Sequence, residues 1–308
     1  MPAVSARVAV IVVSKGRPEI IREMIPHLNV QTLLPTTFIL SVTERADADF
    51  DLEDELDPRI DSQVVHAPPG ICSQRNAAID RLPPDIDYVV FYDDDFFPSR
   101  FALEGLVRSF ERHPDVDGIT GRLIADGIVG PGLTPEQARH MLSAWDADFA
   151  LTDEMVDRTC RNTFGLYGCN MAYRAEAMRG LRFDEALPVY GWQEDVDFAA
   201  QLAGRRVEVE TFTGVHLGTK SGRETKGSLL GYSQVVNPYY LWRKGTLSAG
   251  FASQLVVRNV VANHLKALRP EPWVDRRGRL KGNWAGIRDI LAGRADPRRI
   301  LSSPDRAR

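Results

Sequence analysis

Cysteine is scarce in this 308-residue chain: Cys72, Cys160 and Cys169 stand apart, with no C-x-x-C pair among them. Three isolated thiols cannot all be bridged, which argues against a disulfide-built fold and against a structural zinc site. Reduced thiols in a cytoplasmic protein are the expectation. Long hydrophobic runs are lacking too. The first apolar run, Val8–Val13, gives way at once to Ser14-Lys15-Gly16-Arg17, too short for a secretory leader. Nothing approaches the roughly 18 to 20 apolar residues that cross a bilayer. No internal repeat or low-complexity tract occurs, and no glycine-rich phosphate loop follows the first apolar run. What is present, 44% hydrophobic and 26% charged residues, sits near the globular average and excludes general disorder.

The net charge of −4 conceals an asymmetry. Residues 266–308 carry twelve Lys/Arg against five Asp/Glu, while the preceding 265 residues carry 26 basic and 37 acidic side chains. An acidic body with a basic tail argues against a nucleic-acid-binding protein. It fits an enzyme that handles metals and touches something anionic at one end, or a body with a solvated helical tail.

Residues 7–13 read as a buried β-branched strand, and Pro18 opens a helix carrying Ile20, Ile21, Met24, Ile25 and Leu28 at helical spacing. A second strand (37–42), an acidic surface loop (44–61), a helix bearing Gln74-Arg75-Asn76 and a third buried strand (87–92) follow. This β-α-β-α-β order opens a doubly wound α/β sheet, in which ligands bind at the carboxyl ends of the strands. Beyond it the pattern gives a helix (101–112), a strand (118–124) and a Gly/Pro-rich loop (127–135). A hairpin-like stretch (162–173) precedes a helix starting near Glu194, a strand (206–211), and amphipathic helices from 229 onward.

The third strand runs straight into Asp93-Asp94-Asp95. Carboxylates about 5 Å apart repel by about 3 kcal/mol at an effective dielectric near 20. A strand end keeps such a cluster where a divalent cation or open water offsets the repulsion, and hard oxygen ligands suit Mg2+ or Mn2+. A solvated turn with a helix cap is the plainer alternative.

The order of the motifs resembles glycosyltransferase family 2 with the GT-A fold, across residues 7 to 225. The residues that carry the likeness are the strand Val8–Val13, Gly70 with Gln74-Arg75-Asn76, Phe91-Tyr92-Asp93-Asp94-Asp95, Gly168-Cys169-Asn170, Gln193-Glu194-Asp195-Val196-Asp197, and His216 within Gly214–Gly218. The resemblance implies a Rossmann-like mixed sheet flanked by helices, with a nucleotide-binding half (1–125), an acceptor-binding half (126–225) and a helical, basic C-terminal extension (226–308). It implies Mn2+ or Mg2+ held by Asp93, Asp95 and His216, with Asp93 also reaching the donor and Asp94 assisting. Arg75 matches a nucleotide-holding position, and Asp195 matches the catalytic base.

Physical chemistry adds its own reasons. Sugar transfer from a nucleotide diphosphate needs the leaving charge stabilised and a base for the attacking hydroxyl. Acids in a first helical turn, such as Glu194 and Asp195, stay ionised, although acids there are also routine. The loop holding Lys220 and Arg223 suits closure over a diphosphate, or is a plain solvated loop. Trp192, Asn170 and Glu194 are candidates for the acceptor pocket, Trp192 equally for core packing.

Two departures from the family pattern matter. Where many members end a strand in paired acids, this chain has Ser41-Val42-Thr43-Glu44, leaving Glu44 as the candidate nucleotide contact. Residues 201–205 lack the tryptophan of the Q-x-x-R-W pattern of processive members, which predicts single addition. UDP-hexose is the family's commonest donor, with dTDP-rhamnose and GDP-mannose as alternatives. The aromatic and basic tail suits an anionic inner-membrane surface near a polyprenyl-diphosphate-linked saccharide, as in bacterial surface-polysaccharide assembly; a helical cap or a homodimer contact is the alternative. A non-catalytic sugar-nucleotide or saccharide-binding module on the same fold is the rival function. A D-x-D phosphohydrolase is disfavoured by Phe97, which stands where that motif wants Thr or Val.

Overall fold

All seven residues of β1 (Val8–Ser14) are buried, the continuous apolar run of a strand covered on both faces. Its neighbours are β2 (Thr37–Val42) and, further along the chain, β4 (Tyr88–Asp93), both parallel to it; β3 (Asp61–His66) pairs parallel with the outer side of β2. The computed structural model describes residues 6–220 and 227–302. Its contacts divide the described chain into two units, one of residues 6–69, 73–182 and 202–219, the other of 70–72, 183–201, 220 and 227–302.

The remaining strands of the first unit are β5 (Phe96–Pro98), β6 (Val116–Gly121), β7 (Ala125–Asp126), β8 (Arg161–Asn162), β9 (Asn170–Arg174), β10 (Arg205–Val209) and β11 (Gly214–His216). Eight strands run in the order β3-β2-β1-β4-β9-β6-β10-β8, and β5-β11-β7 form a small second sheet. The large sheet is mixed: β9 lies antiparallel between β4 and β6. The hairpin expected over 162–173 does not form. β8 pairs with β10, and β9 is drawn between the buried strands β4 and β6 because Met171, Ala172 and Tyr173 are all apolar and buried.

Helices flank the sheet: α1 (Pro18–Asn29), α2 (Leu52–Glu55), α3 (Ile71–Ile79), α4 (Ala102–Arg112), α5 (Pro135–Asp148) and α6 (Asp153–Thr159). Helix α1 buries Ile21, Met24, Ile25 and Leu28, one stripe in which each side chain contributes roughly 1.5–3 kcal/mol by leaving water. The acidic stretch expected as a loop contains a 3-10 turn (Arg45–Ala48) and α2, and its last residue, Asp61, begins β3. Strand β3 escapes sequence reading because it lies at the sheet edge with only Val65 buried. Helix α5 begins with a reciprocal Thr134–Gln137 capping box and Pro135 in its first turn, so its N-terminal donors are satisfied.

The second unit holds α7 (Glu194–Ala199), α8 (Gly227–Lys244), α9 (Ala249–Ala267) and α10 (Arg276–Leu291). Helices α8 and α10 approach closely at Gly231 and Gly282, where a Cβ would overlap the Arg279 and Ser228 carbonyls. Between the helices Asn263 Nδ2 donates to Gln234 Oε1 and Asn283 Oδ1, both at 2.9 Å, and Asn283 Nδ2 donates to Gly231 O at 2.7 Å. This buried amide chain satisfies polar atoms that would each cost about 1–3 kcal/mol unpaired. No described helix is long and apolar enough to cross a membrane.

Candidate active site

Strand register assembles a cluster of acids at one edge of the first unit. Asp93 ends β4 opposite Val13 of β1, and Asp94-Asp95 make the turn into β5. Strand β11 then lies between β5 and β7, with His216 opposite Phe96 on one side and Asp126 on the other. The imidazole is thereby held between two carboxylates: Nδ1 lies 2.8 Å from Asp126 Oδ1, and Nε2 lies 3.4 Å from Asp95 Oδ1. Tyr167 donates its hydroxyl to the other Asp126 oxygen at 2.9 Å. The Asp95 carboxylate also accepts from Thr219 N at 2.8 Å.

The three consecutive aspartates are not equivalent. Asp94 is fully buried. It accepts from Ser14 Oγ and pairs with Arg17, each at 2.5 Å, and Arg17 also comes within 3.9 Å of Asp95. Burial pushes Asp94 up to about 7 against the pull of Arg17. Asp93 is likewise raised by burial, with Arg75 opposing, but its side chain keeps 28% of its exposure. Asp95 goes the other way: burial is outweighed by His216, Arg17 and the Thr219 N–H, which hold it well below the usual carboxylate range. Burial alone would lower His216, yet its bonds to Asp126 and Asp95 raise it to about 10.

Asp93, Asp95 and His216 each offer a ligand atom, all within 4.8 Å of one another. Two carboxylate oxygens and an imidazole are a donor set that suits Mn2+ or Mg2+. The imidazole is also braced from behind, by Asp126 and, through it, the Tyr167 hydroxyl. Nδ1–H is directed to Asp126, which leaves Nε2 turned toward the acids; a metal bound there would displace the Nε2 proton that the two carboxylates favour on the free ring. The residues fit the ion.

The other candidates fall into three groups. Arg75 is 1% exposed and donates to Asp93 Oδ1 at 3.3 Å and Gly168 O at 3.1 Å, so it acts on the site through Asp93. Asn170 is wholly buried: its Oδ1 accepts from Thr120 Oγ1 and Gly121 N, and its Nδ2 donates to Phe212 O. Glu44 is exposed; the buried acid beside it is Asp47, which accepts from the N–H groups of Gly16, Thr43 and Glu44.

Trp192, Glu194 and Asp195 belong to the second unit. Trp192 lies within, and Glu194 and Asp195 just after, a turn with three left-handed residues, Val189, Gly191 and Gln193, two of them non-glycine and therefore strained. Trp192 is half-buried and its carbonyl accepts from Asn237 Nδ2 at 2.9 Å; Glu194 is buried, and one Asp195 oxygen accepts from Val196 N. Helix α7 is anchored by the buried Asp197, which accepts from Lys244 Nζ and Thr246 Oγ1, both at 2.7 Å. Lys220 is half-buried, and Arg223 lies outside the described residues.

No family model and no curated protein sequence matches the chain. Solved structures do. The mannosyltransferase PcManGT from Pyrobaculum calidifontis, in complex with GDP-Man and Mn2+, aligns over 98% of this chain and 79% of its own, at 17% identity and a TM-score of 0.54. S. aureus TarS 1-349 in complex with UDP-GlcNAc aligns over 96% of this chain and 83% of its own, at 12% identity and a TM-score of 0.53. The fold is GT-A-like. Another S. aureus TarS crystal structure aligns over 86% of this chain, which spans 44% of that longer one, at 14% identity and a TM-score of 0.48.

Sequence reasoning missed Asp126, Tyr167, Ser14 and Arg17. Asp126 sits in a two-residue strand with no motif around it, and only the pairing with β11 reveals it. For Arg17 a weak signal existed, since Ser14–Arg17 directly follows the first strand.

Proposed function

We propose that this chain is an inverting, metal-dependent glycosyltransferase of family 2. On this reading it moves one hexosyl residue per encounter from a nucleotide-diphosphate sugar, UDP-hexose first among the donors, to a saccharide acceptor. The observation that carries the reading is the Asp93–Asp95–His216 cluster at the carboxyl edge of a GT-A-like sheet, where open α/β sheets bind their ligands. Two fold relatives support it, one solved with UDP-GlcNAc and the other with GDP-Man and Mn2+.

Asp93, Asp95 and the Nε2 of His216 would hold the ion, and Asp126 keeps the imidazole turned toward them. When bound, the ion offsets the negative charge that grows on the departing nucleotide diphosphate. Asp195 is the proposed base: it takes the proton of the acceptor hydroxyl as that oxygen bonds to the anomeric carbon, while the bond to the diphosphate oxygen breaks on the opposite face. Lys220 and Arg223 are proposed as cations for the diphosphate, Glu44 as a nucleotide contact, and Trp192 with Glu194 as acceptor contacts. The proposed acceptor is a saccharide on a polyprenyl diphosphate.

A thermal-shift panel of UDP, GDP, dTDP and CDP, each with and without Mn2+, tests the donor half of this reading. Ligand at about a hundred times its dissociation constant adds roughly 2.7 kcal/mol, a rise of about 4 °C in a chain of this size. A shift with one nucleotide that requires Mn2+ is the expected result. Absence of a shift with all four, with and without metal, would remove the reading.

A further inference from the structure

Helix α9 leaves much of its surface uncovered. Only Ala252 and Asn263 on it are buried. Val257, Val261, Leu265 and Leu268 are 49–82% exposed, and their spacing sets them on one helical stripe about 16 Å long. The helix contains no acidic residue at all. On α10 the exposed residues Arg277, Lys281, Trp284, Arg288 and Leu291 also fall on one stripe, three cations interleaved with an aromatic and an aliphatic side chain. The two stripes adjoin, because Trp284 Nε1 donates to His264 Nε2 at 3.2 Å.

Among the described residues the acids near this surface are committed. Glu271 accepts from Lys266 and Arg276, and Asp275 caps α10 through Gly278 N. Asp289 is buried against Tyr232, Arg294 and Arg299. Arg258, Arg277, Lys281 and Arg288 are in no ion pair among the described residues. The basic tail read from sequence is thus redistributed: Arg276 is bound to Glu271, Arg279 is buried, and Lys244 is bound by Asp184 and Asp197.

We propose that the α9–α10 face docks on an anionic lipid bilayer. Aliphatic side chains with Trp284 would enter the headgroup boundary while the cations meet lipid phosphates, the division of labour of interfacial helices. Nucleic acid would leave the aliphatic stripe without a partner. A second copy packed two-fold on this face would bring its cations together, with no uncommitted acid among the described residues of this face to meet them. The inference goes beyond the transfer reading and does not rest on it.

Vesicle flotation of the full chain tests it, with phosphatidylcholine alone and with phosphatidylcholine containing phosphatidylglycerol. The chain floats with the anionic vesicles only, and less as salt rises. Each cation near an anionic surface is worth about 1 kcal/mol, or about fivefold, so R277Q/K281Q/R288Q lowers partitioning by about a hundredfold. V261Q/L265Q, also at exposed positions, loses flotation with its melting temperature unchanged. No flotation with anionic vesicles, equal flotation with neutral ones, or undiminished flotation of the triple variant overturns the proposal. So does a dimer in light scattering that V261Q/L265Q dissociates. Lost transfer with retained flotation would leave it standing.

Discussion

Asp126 and His216 face each other across β7 and β11, joined by a 2.8 Å hydrogen bond through Nδ1. That bond determines which imidazole nitrogen is left for a metal. D126A is expected to weaken Mn2+ binding about 10–100-fold, the usual effect of losing such a partner, and D126N to weaken it less. Calorimetric titration with Mn2+ alone reads this out without an assay of transfer. Unchanged Mn2+ affinity in D126A would mean that His216 is not a ligand.

Asp195→Asn is expected to abolish transfer while leaving nucleotide-induced stabilisation intact, because a base that acts only on the acceptor hydroxyl adds nothing to donor binding. Turnover retained in that variant would take the role of base away from Asp195.

Arg75 is sealed inside the first unit, bound to Asp93 and to the Gly168 carbonyl. Removing a buried cation from its carboxylate leaves an uncompensated charge, so R75M should destabilise the fold by about 3 kcal/mol. A urea midpoint equal to that of the unsubstituted chain would contradict the pairing.

His27 stacks on Phe97 with ring centroids 4.5 Å apart, and burial, aided by Arg139, lowers it to about 4 from 6.5. Between these values the unfolded chain binds a proton that the folded chain refuses. Stability therefore rises with pH across this window and is lost as pH falls from about 6.5 toward 4, by on the order of 3 kcal/mol. Denaturation of H27Q at both ends of the window should show a flatter dependence; an identical slope would refute the assignment.

The amino-acid sequence by itself determined the strands β1, β2 and β4 and the amphipathic α1, because apolar runs and helical spacing act over a few neighbouring residues. It also put the three aspartates at a strand's carboxyl end and, through the order of motifs, marked Asp195 and His216 as candidates. The tertiary structure decided what lies opposite what. Asp94 became an interior partner of Ser14 and Arg17, Asn170 a brace between strands, and Asp126 the holder of His216. These relations join residues 80 to 90 positions apart in the Asp94–Ser14 and Asp126–His216 cases, so no local pattern records them. The same holds for the tail: its charge was plain in composition, but only tertiary packing and the placement of Glu271, Asp184 and Asp197 decided which cations are buried or bound and which face solvent.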